Sequence, residues 1–296
     1  MPPQRPVLLQ PKLVRVSGIV LAAAGLCLIW FQQAGLQAQP PKQPLEVQKV
    51  TDRLWVIMNN ASGNVAVLPT GEGVLLVDDK FEQDGPEILA KVKAVSSQPI
   101  RYILNTHQHG DHTGGNAFML KNTPAEIVIH KNARANMVAG KQPGLPQITF
   151  ADEAQVFLGG TEVSAHHVGR GHTNGDAVIL FPSERVLHTG DLFVNGIAPF
   201  IDYSAQGSIV EWDKTLDRVL QLDFDIVIPG HGPVAKKADL VKWRDSIAEL
   251  RARAKTACAG GAADAGKRLS LAGLNMDDSL GFMARNVPGM CAELAN

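Results

Sequence analysis

The chain of 296 residues has no long tract of like charge, no segment of low complexity and no internal repeat at periods of twenty to fifty. Those absences set aside charged disordered tails, compositionally biased linkers and solenoid architectures. There is no G-x-S-x-G element, so the strand–turn–helix elbow that presents a nucleophilic serine is excluded. Cysteine is scarce: of three, Cys27 lies in an apolar N-terminal run, and Cys258 and Cys291 lie far from every histidine-rich motif. A cysteine nucleophile is therefore not expected. With 45% hydrophobic and 19% charged residues, the composition is that of an ordinary globular protein with ample core, in one large domain or two small ones.

Acidic residues are missing from the first 38 positions, which carry Arg5, Lys12 and Arg15. An uncharged apolar run, VSGIVLAAAGLCLIWF at 16–31, follows, and then the small and polar QQAGLQAQP. A positive start, an apolar middle and a small residue at Ala38 read as a secretory signal peptide. The run is short for a membrane span of about 20 residues; with Leu36 a mediocre residue before the cut, an uncleaved N-terminal membrane anchor is the alternative. Cys27 follows Leu26 rather than a small residue, so lipoprotein cleavage is not expected. In either case positive-inside logic exports residues 39 onward, and an exported, periplasmic location is expected. Removing the three basic residues leaves 25 against 29 acids, a formal charge of about −4. A mildly acidic exported domain is a poor nucleic-acid binder. In an oxidising compartment the even pair Cys258 and Cys291 is a disulfide candidate, with two free thiols as the alternative.

Short β-rich runs, LWVIM (54–58), NVAVL (64–68) and GVLLVD (73–78), read as a meander. A helix is expected over 84–97, with Pro86 in its first turn and Ile88, Leu89, Val92 and Val95 on one stripe. RYILNT (101–106) is a strand, EIVIH (126–130) another, and 132–140 a helix. Strands follow at 154–158, 162–168, 177–182, 185–191 and 225–229, with helices at 208–222 and 238–257. Two halves of similar content predict an α/β (α+β) fold, a four-layer αββα sandwich over residues 39–258 with functional loops at one edge of the paired sheets. Residues 259–296 turn to Ala, Gly and Ser and are expected to be a tail, helical in pieces.

Against this background THQHGDHTGGN (106–116) stands out, with three of the chain's nine histidines. Imidazole and carboxylate are the ligands zinc and related divalent ions prefer. His107 and His109 are two apart on a loop leaving a strand and can swing to one metal; Asp111 and His112 suit a second. Further donors stand beside glycine at other strand ends: His172 in RGHTNGD, Asp191 in LHTGDLF and His231 in IPGHGP. Four strand ends offering such donors set aside the reading of 106–116 as a merely solvated loop. His130, His166, His167 and His188 are read as structural, with a supporting place behind the metal site as the alternative for His188, which lies near Asp191; His166 and His167, adjacent on a strand, face opposite sides.

HQHGDH, GHTNGD, TGD and PGHG, in this order and spacing, resemble the metallo-β-lactamase superfamily over most of residues 45 to 250. The resemblance implies the αββα sandwich and a dinuclear site holding two Zn2+, with iron or manganese as the other metals such ligands take. By it His107, His109 and His172 would hold the first metal, and Asp111, His112 and His231 the second. Asp191 would bridge them, and Asp78 would orient a ligand histidine from behind. The implied reaction is hydrolysis, a hydroxide shared by the two metals attacking a carbonyl, with Asp111 moving a proton for the leaving group. True β-lactamases of the family usually carry cysteine or serine where this chain has Asp191, which looks more like the ester, thioester and lactone hydrolases. His109 in place of glutamate argues against the di-iron flavoprotein branch. FVNGIAPFIDYSAQGS and IPGHGPVAKKADL resemble exported members, and loops 59–63, 140–150 and 193–206 would select a small-molecule substrate. Three further readings stay open: a true metallo-β-lactamase, a mononuclear iron enzyme of the persulfide dioxygenase kind, and a non-catalytic metal-binding protein.

Overall fold

A computed structural model describes residues 44–59 and 62–295. The leader or anchor expected over 1–38 lies outside the described residues, as does the middle of the 59–63 loop. Among the described residues no helix is long and apolar enough to cross a membrane.

The first sheet runs in spatial order β1 (Glu46–Lys49), β2 (Trp55–Met58), β3 (Val65–Pro69), β4 (Val74–Val77), β5 (Ile100–Asn105), β6 (Glu126–His130) and β7 (Ile148–Phe150). Its first four strands form an antiparallel meander, and β4 to β7 are parallel. The parallel half needs crossovers, supplied by α1 (Gly85–Val95), the short α2 (Gly110–Thr113) with α3 (Asn116–Asn122), and α4 (Lys131–Ala139). The second sheet has the order β13 (Ala235–Lys236), β12 (Ile226–Ile228), β11 (Val186–His188), β10 (Val178–Phe181), β9 (Thr161–His166) and β8 (Glu153–Leu158). Only β11 and β12 are parallel in it, joined through α5 (Ile209–Val219); α6 (Lys237–Ala259), α7 (Ala265–Arg268) and α8 (Phe282–Leu294) close the chain.

Strand alternation assigns the layers. Val56, Ala66, Leu75 and Val77 of the first sheet meet Val163, Ala165, Ile179 and Phe181 of the second in one buried cluster between the sheets. Their neighbours Ile57, Val67, Val74 and Leu76 face outward onto Ile88 and Val92 of α1 and Met119 of α3. On the far side, Val178 and Leu187 pack under Trp212 and Leu216 of α5, Trp243 and Ile247 of α6, and Met283 and Met290 of α8. The described residues thus form a helix–sheet–sheet–helix sandwich.

The strands unread in the sequence, β1, β7 and β13, are short pieces at sheet edges, and β1 is exposed throughout, so it carries no burial alternation to read. Two expectations change. The strand expected over 162–168 ends at His166, so His167 is not a strand position; its ring stacks on His130, centroids 3.9 Å apart. The strand expected over 185–191 ends at His188, and Asp191 sits in a 3₁₀ turn, Gly190–Leu192. Beyond residue 259, Leu274, Met276, Met283 and Met290 are buried in the same cluster as Trp212 and Trp243. Cys258 of α6 and Cys291 of α8 are joined as a disulfide, with Cα atoms 5.2 Å apart.

Candidate metal centre

The parallel strands β4 and β5 end side by side, and the side chain after one organises the loop after the other. Asp78 has a left-handed φ of 63°, a conformation aspartate tolerates better than most residues. Fully buried, it accepts hydrogen bonds from Thr106 N (2.8 Å), Thr106 Oγ1 (2.8 Å) and His112 Nδ1 (2.7 Å). Because the Thr106 hydroxyl proton is committed to Asp78, its oxygen accepts from Nδ1 of His107 at 3.0 Å. One carboxylate therefore fixes two histidines, one directly and one through a threonine. His172 donates from Nδ1 to the Phe200 carbonyl (2.7 Å), and His109 donates from Nε2 to Asp202 Oδ2 (2.9 Å).

These outer partners decide what the inner atoms are. A neutral imidazole has one N–H and one lone pair, so the inner nitrogens of His107, His109 and His172 present lone pairs. Yet His172 Nε2 lies 3.2 Å from His107 Nε2 and 2.8 Å from His109 Nδ1. Three lone pairs converging on one point repel one another unless a cation sits among them. The residues therefore fit a metal, and the donor set is one that zinc accepts.

A second convergence adjoins the first. His231 Nε2 is 3.1 Å from Asp111 Oδ2 and 3.3 Å from His112 Nε2. Asp191 lies between the sets: its Oδ1 is 3.2 Å from His112 Nε2 and 3.4 Å from His231 Nε2, while Oδ2 is 3.6 Å from His172 Nε2. Donor atoms lie within 4.8 Å of one another in each of three overlapping groups: His107, His109 and His172; His107, His112 and Asp191; and Asp111, His112 and His231. All seven donors expected from the sequence meet here.

The electrostatics differ between the sets. Burial, reinforced by the neighbouring imidazoles, holds His107 well below the usual histidine range and His172 at about 4, so both stay neutral. Burial also opposes charge on His112 and His231, but adjacent carboxylates outweigh it: Asp111, Asp191 and Asp78 raise His112 well above its ordinary value, and Asp191 with Asp111 raises His231 to about 9. Burial would likewise raise Asp111 and Asp191, and the same two histidines instead hold both well below the ordinary carboxylate range.

Further residues support the donors from outside. The 3₁₀ turn bearing Asp191 is pinned because Trp212 Nε1 (3.0 Å) and Trp243 Nε1 (2.8 Å) both donate to the Leu192 carbonyl. A Cβ on Gly230 would lie 2.0 Å from Asp191 Oδ1, and one on Gly63 2.3 Å from the His112 ring, so glycine is required at both. Asn64 donates to the carbonyls of Pro229 and Gly232 (2.9 Å each), bracketing His231. His188, fully buried, donates to the Asn64 carbonyl (3.0 Å) and accepts from Gly190 N (3.1 Å), tying the loops of Asp191 and His231 to the first sheet. Buried Lys80 donates to the Gly63 carbonyl at 2.5 Å, with burial pushing its ammonium down to about 8. Thr106 adjoins the motif and was findable; Asp202, 93 residues from His109, was not.

The family model described as "Metallo-beta-lactamase superfamily" matches residues 59–231, which hold all seven donors and Asp78. The chain belongs to the metallo-beta-lactamase superfamily. Among superfamily relatives, a "Metallo-beta-lactamase type 2" of Bacillus sp. (strain 170) is 26% identical over 189 residues, 62% of this chain and 72% of the relative. The "2,4-dinitroanisole O-demethylase subunit alpha" of Nocardioides sp. (strain JS1661) is 25% identical over 200 residues, 63% of this chain and 57% of its own length. A solved metallo-beta-lactamase from Pontibacter korlensis shares the fold, with a TM-score of 0.60 at 24% identity over 67% of this chain and 96% of that one.

Proposed function

We propose that this superfamily member is an exported, dinuclear zinc hydrolase of activated carbonyl compounds: esters, thioesters or lactones, with β-lactams as secondary substrates. The observation that carries the reading is the pair of donor sets meeting at Asp191, whose two oxygens face different histidines. His107, His109 and His172 would hold one ion, and Asp111, His112 and His231 the other. Bound zinc supplies a water of lowered pKa and a Lewis acid for the carbonyl oxygen. The chain's residues do the rest. Asp78, Thr106 and Asp202 hold the imidazoles so that their lone pairs point inward. Asp111, with a side chain 25% exposed against 12% for Asp191, is the carboxylate open to the mouth, and its Oδ2 takes or delivers the proton as the leaving group departs.

One relative is named a lactamase and another an O-demethylase, so the relatives do not agree on a bond, and the choice rests on this chain's donors. Asp191 adds a hard anionic oxygen to the donor set, which would lower the Lewis acidity of the bound metals relative to a neutral ligand in its place. That favours substrates with good leaving groups over amides. A strained β-lactam is itself an activated amide, and the lactamase names among the relatives keep a true metallo-β-lactamase as the second reading.

Elemental analysis of the purified protein is expected to give about two zincs per chain, and Asp191→Ala should lose roughly one of them together with hydrolysis. One iron and no zinc would overturn the reading in favour of the mononuclear iron enzyme. On the zinc-loaded protein, an aryl ester, a glutathione thioester and a homoserine lactone should outpace a chromogenic cephalosporin. A cephalosporin rate ahead by about a hundredfold, ~2.7 kcal/mol of transition-state energy, would make it a β-lactamase. Metal bound at full stoichiometry with no turnover on the panel would make it a binding protein.

A further inference from the structure

The helix α8 lies beyond the residues matched by the superfamily model, which end at 231, and its Phe282 packs against Phe200, whose ring lies beside the first donor set. Its buried Asn286 brackets the loop at Phe200: Oδ1 accepts from Ile201 N (3.0 Å) and Nδ2 donates to the Pro199 carbonyl (2.7 Å). Near its other end Glu293 accepts from Ile209 N (3.0 Å) and from the Tyr203 hydroxyl (3.3 Å), and the Cys258–Cys291 disulfide ties the helix to α6. The register of α8 against the site is therefore fixed by bonds on both sides of Phe200.

That register places Arg285 over an aromatic platform. Its Cζ is 5.6 Å from the ring centre of Phe200 and 5.2 Å from that of Phe282, and the two rings are 5.7 Å apart. Phe200 in turn lies 6.0 Å from the His109 ring and 5.9 Å from the His172 ring, so Arg285 is separated from two donor histidines by one phenylalanine. Arg170, Arg185, Arg244 and Arg251 each pair with a carboxylate. Exposed Arg285 pairs with none among the described residues and lies over the two rings. A guanidinium lying over rings keeps its N–H edge free, and that edge matches a carboxylate with two parallel hydrogen bonds. The rings also keep water off part of the cation, so a pair made there is stronger than one on open surface.

We propose that Arg285, on its platform of Phe200 and Phe282, is a subsite for a carboxylate of the substrate, so that the preferred substrate is a hydrolysable carbonyl compound bearing a carboxylate on the side of the first donor set. A single planar fork suits this monoanion; a dianionic phosphoryl group calls for more than one cation. The inference rests on the hydrolase reading for its kinetic consequence, but the subsite itself can be read by binding.

The zinc-loaded protein is assayed with mono-4-nitrophenyl glutarate and with neutral 4-nitrophenyl acetate. Arg285→Gln should raise KM for the glutarate about tenfold, equivalent to ~1.4 kcal/mol, with kcat for it and both constants for the acetate unchanged. Arg285→Lys, which keeps the charge and loses the fork, should fall between. In parallel, calorimetry compares 3-mercaptopropionate with its methyl ester, the thiol binding at the metals in each. The wild type should prefer the acid about tenfold, and Arg285→Gln should abolish the preference with the melting temperature unchanged. An intact preference for the acid without ester turnover would leave the subsite standing and the hydrolase reading fallen. Equal losses on both esters with a lowered melting temperature would make Arg285 a mere staple for α8, and an acid preference unchanged in Arg285→Gln would equally overturn the proposal.

Discussion

Removing Asp78 should weaken both metal positions, whereas removing Asp202 should weaken only one. Asp78 is fully buried and receives three hydrogen bonds, two from Thr106 and one from His112. Through Thr106 it also fixes His107, so its two dependants belong one to each donor set. Loss of such an outer partner typically costs about 10–100-fold in metal affinity, and Asp78→Ala should show that loss at each position. The substitution also strands up to three buried donors at about 1–3 kcal/mol apiece. A total of ~3 kcal/mol or more corresponds to a fall in melting temperature of roughly 6–12 °C for a domain of this size. Asp202→Ala removes the acceptor of His109 alone, together with a turn cap to Ser204 N and Ala205 N; it should weaken the first position and cost about 1 kcal/mol. The assay is a zinc titration against a chromophoric chelator, resolving two dissociation constants, with a melting curve alongside. If Asp78→Ala left either constant unchanged, or matched Asp202→Ala, the relay through Thr106 would be wrong. Should the alanine variant fail to fold, Asp78→Asn keeps the volume while turning an N–H toward existing donors, and it should show the same dual loss.

Zinc binding at the second position of metal-stripped protein should release about two protons at pH 7.5, because carboxylates hold His112 well above its ordinary value and His231 at about 9. The first position should release few, since His107 and His172 are held low; calorimetry in buffers of different ionisation enthalpy separates the two. Away from the metals, burial and then the stacked His167 push His130 down to about 4 from 6.5. The unfolded chain binds this proton first, so the stability is present above about pH 6.5 and is lost as pH falls toward 4, with a slope approaching ~1.4 kcal/mol per pH unit. Denaturant titrations between those limits should show a shallower slope in His130→Phe; an identical slope would remove His130 as the cause. Cys258→Ser should lower stability by about 3–4 kcal/mol for a loop of this length, and a loss under 1 kcal/mol would mean that α8 is held by packing alone.

The donors were legible because each segment bearing them follows a strand of readable apolar character and contains glycine, a local pattern that needs no knowledge of what lies opposite. The layered fold was legible for a related reason: runs such as those at 74–77 and 178–181 are buried at every position and admit only a covered sheet. What local pattern cannot carry is the partner across a gap. Asp202 reaches His109 over 93 residues, and Asn64 reaches Gly232 over 168. Both are ordinary loop residues until the sheets close. The C-terminal segment was read from its small residues as a tail helical in pieces; the pieces are α7 and α8, yet four of its apolar side chains, Leu274, Met276, Met283 and Met290, fill the core under α5 and α6, a burial that its small-residue composition does not announce.

The donors do not come from one sheet. His107, His109, Asp111 and His112 leave the end of β5, while His172, Asp191 and His231 leave the ends of strands in the other sheet. Each candidate ion would thus be gripped from both halves of the sandwich, and part of its binding energy would act as cohesion between them. Linkage makes the exchange mutual. Metal should raise the resistance of the two halves to separation, and a cavity cut into the apolar layer between the sheets, at Ile179 or Leu75, should loosen the metal without touching a single ligand.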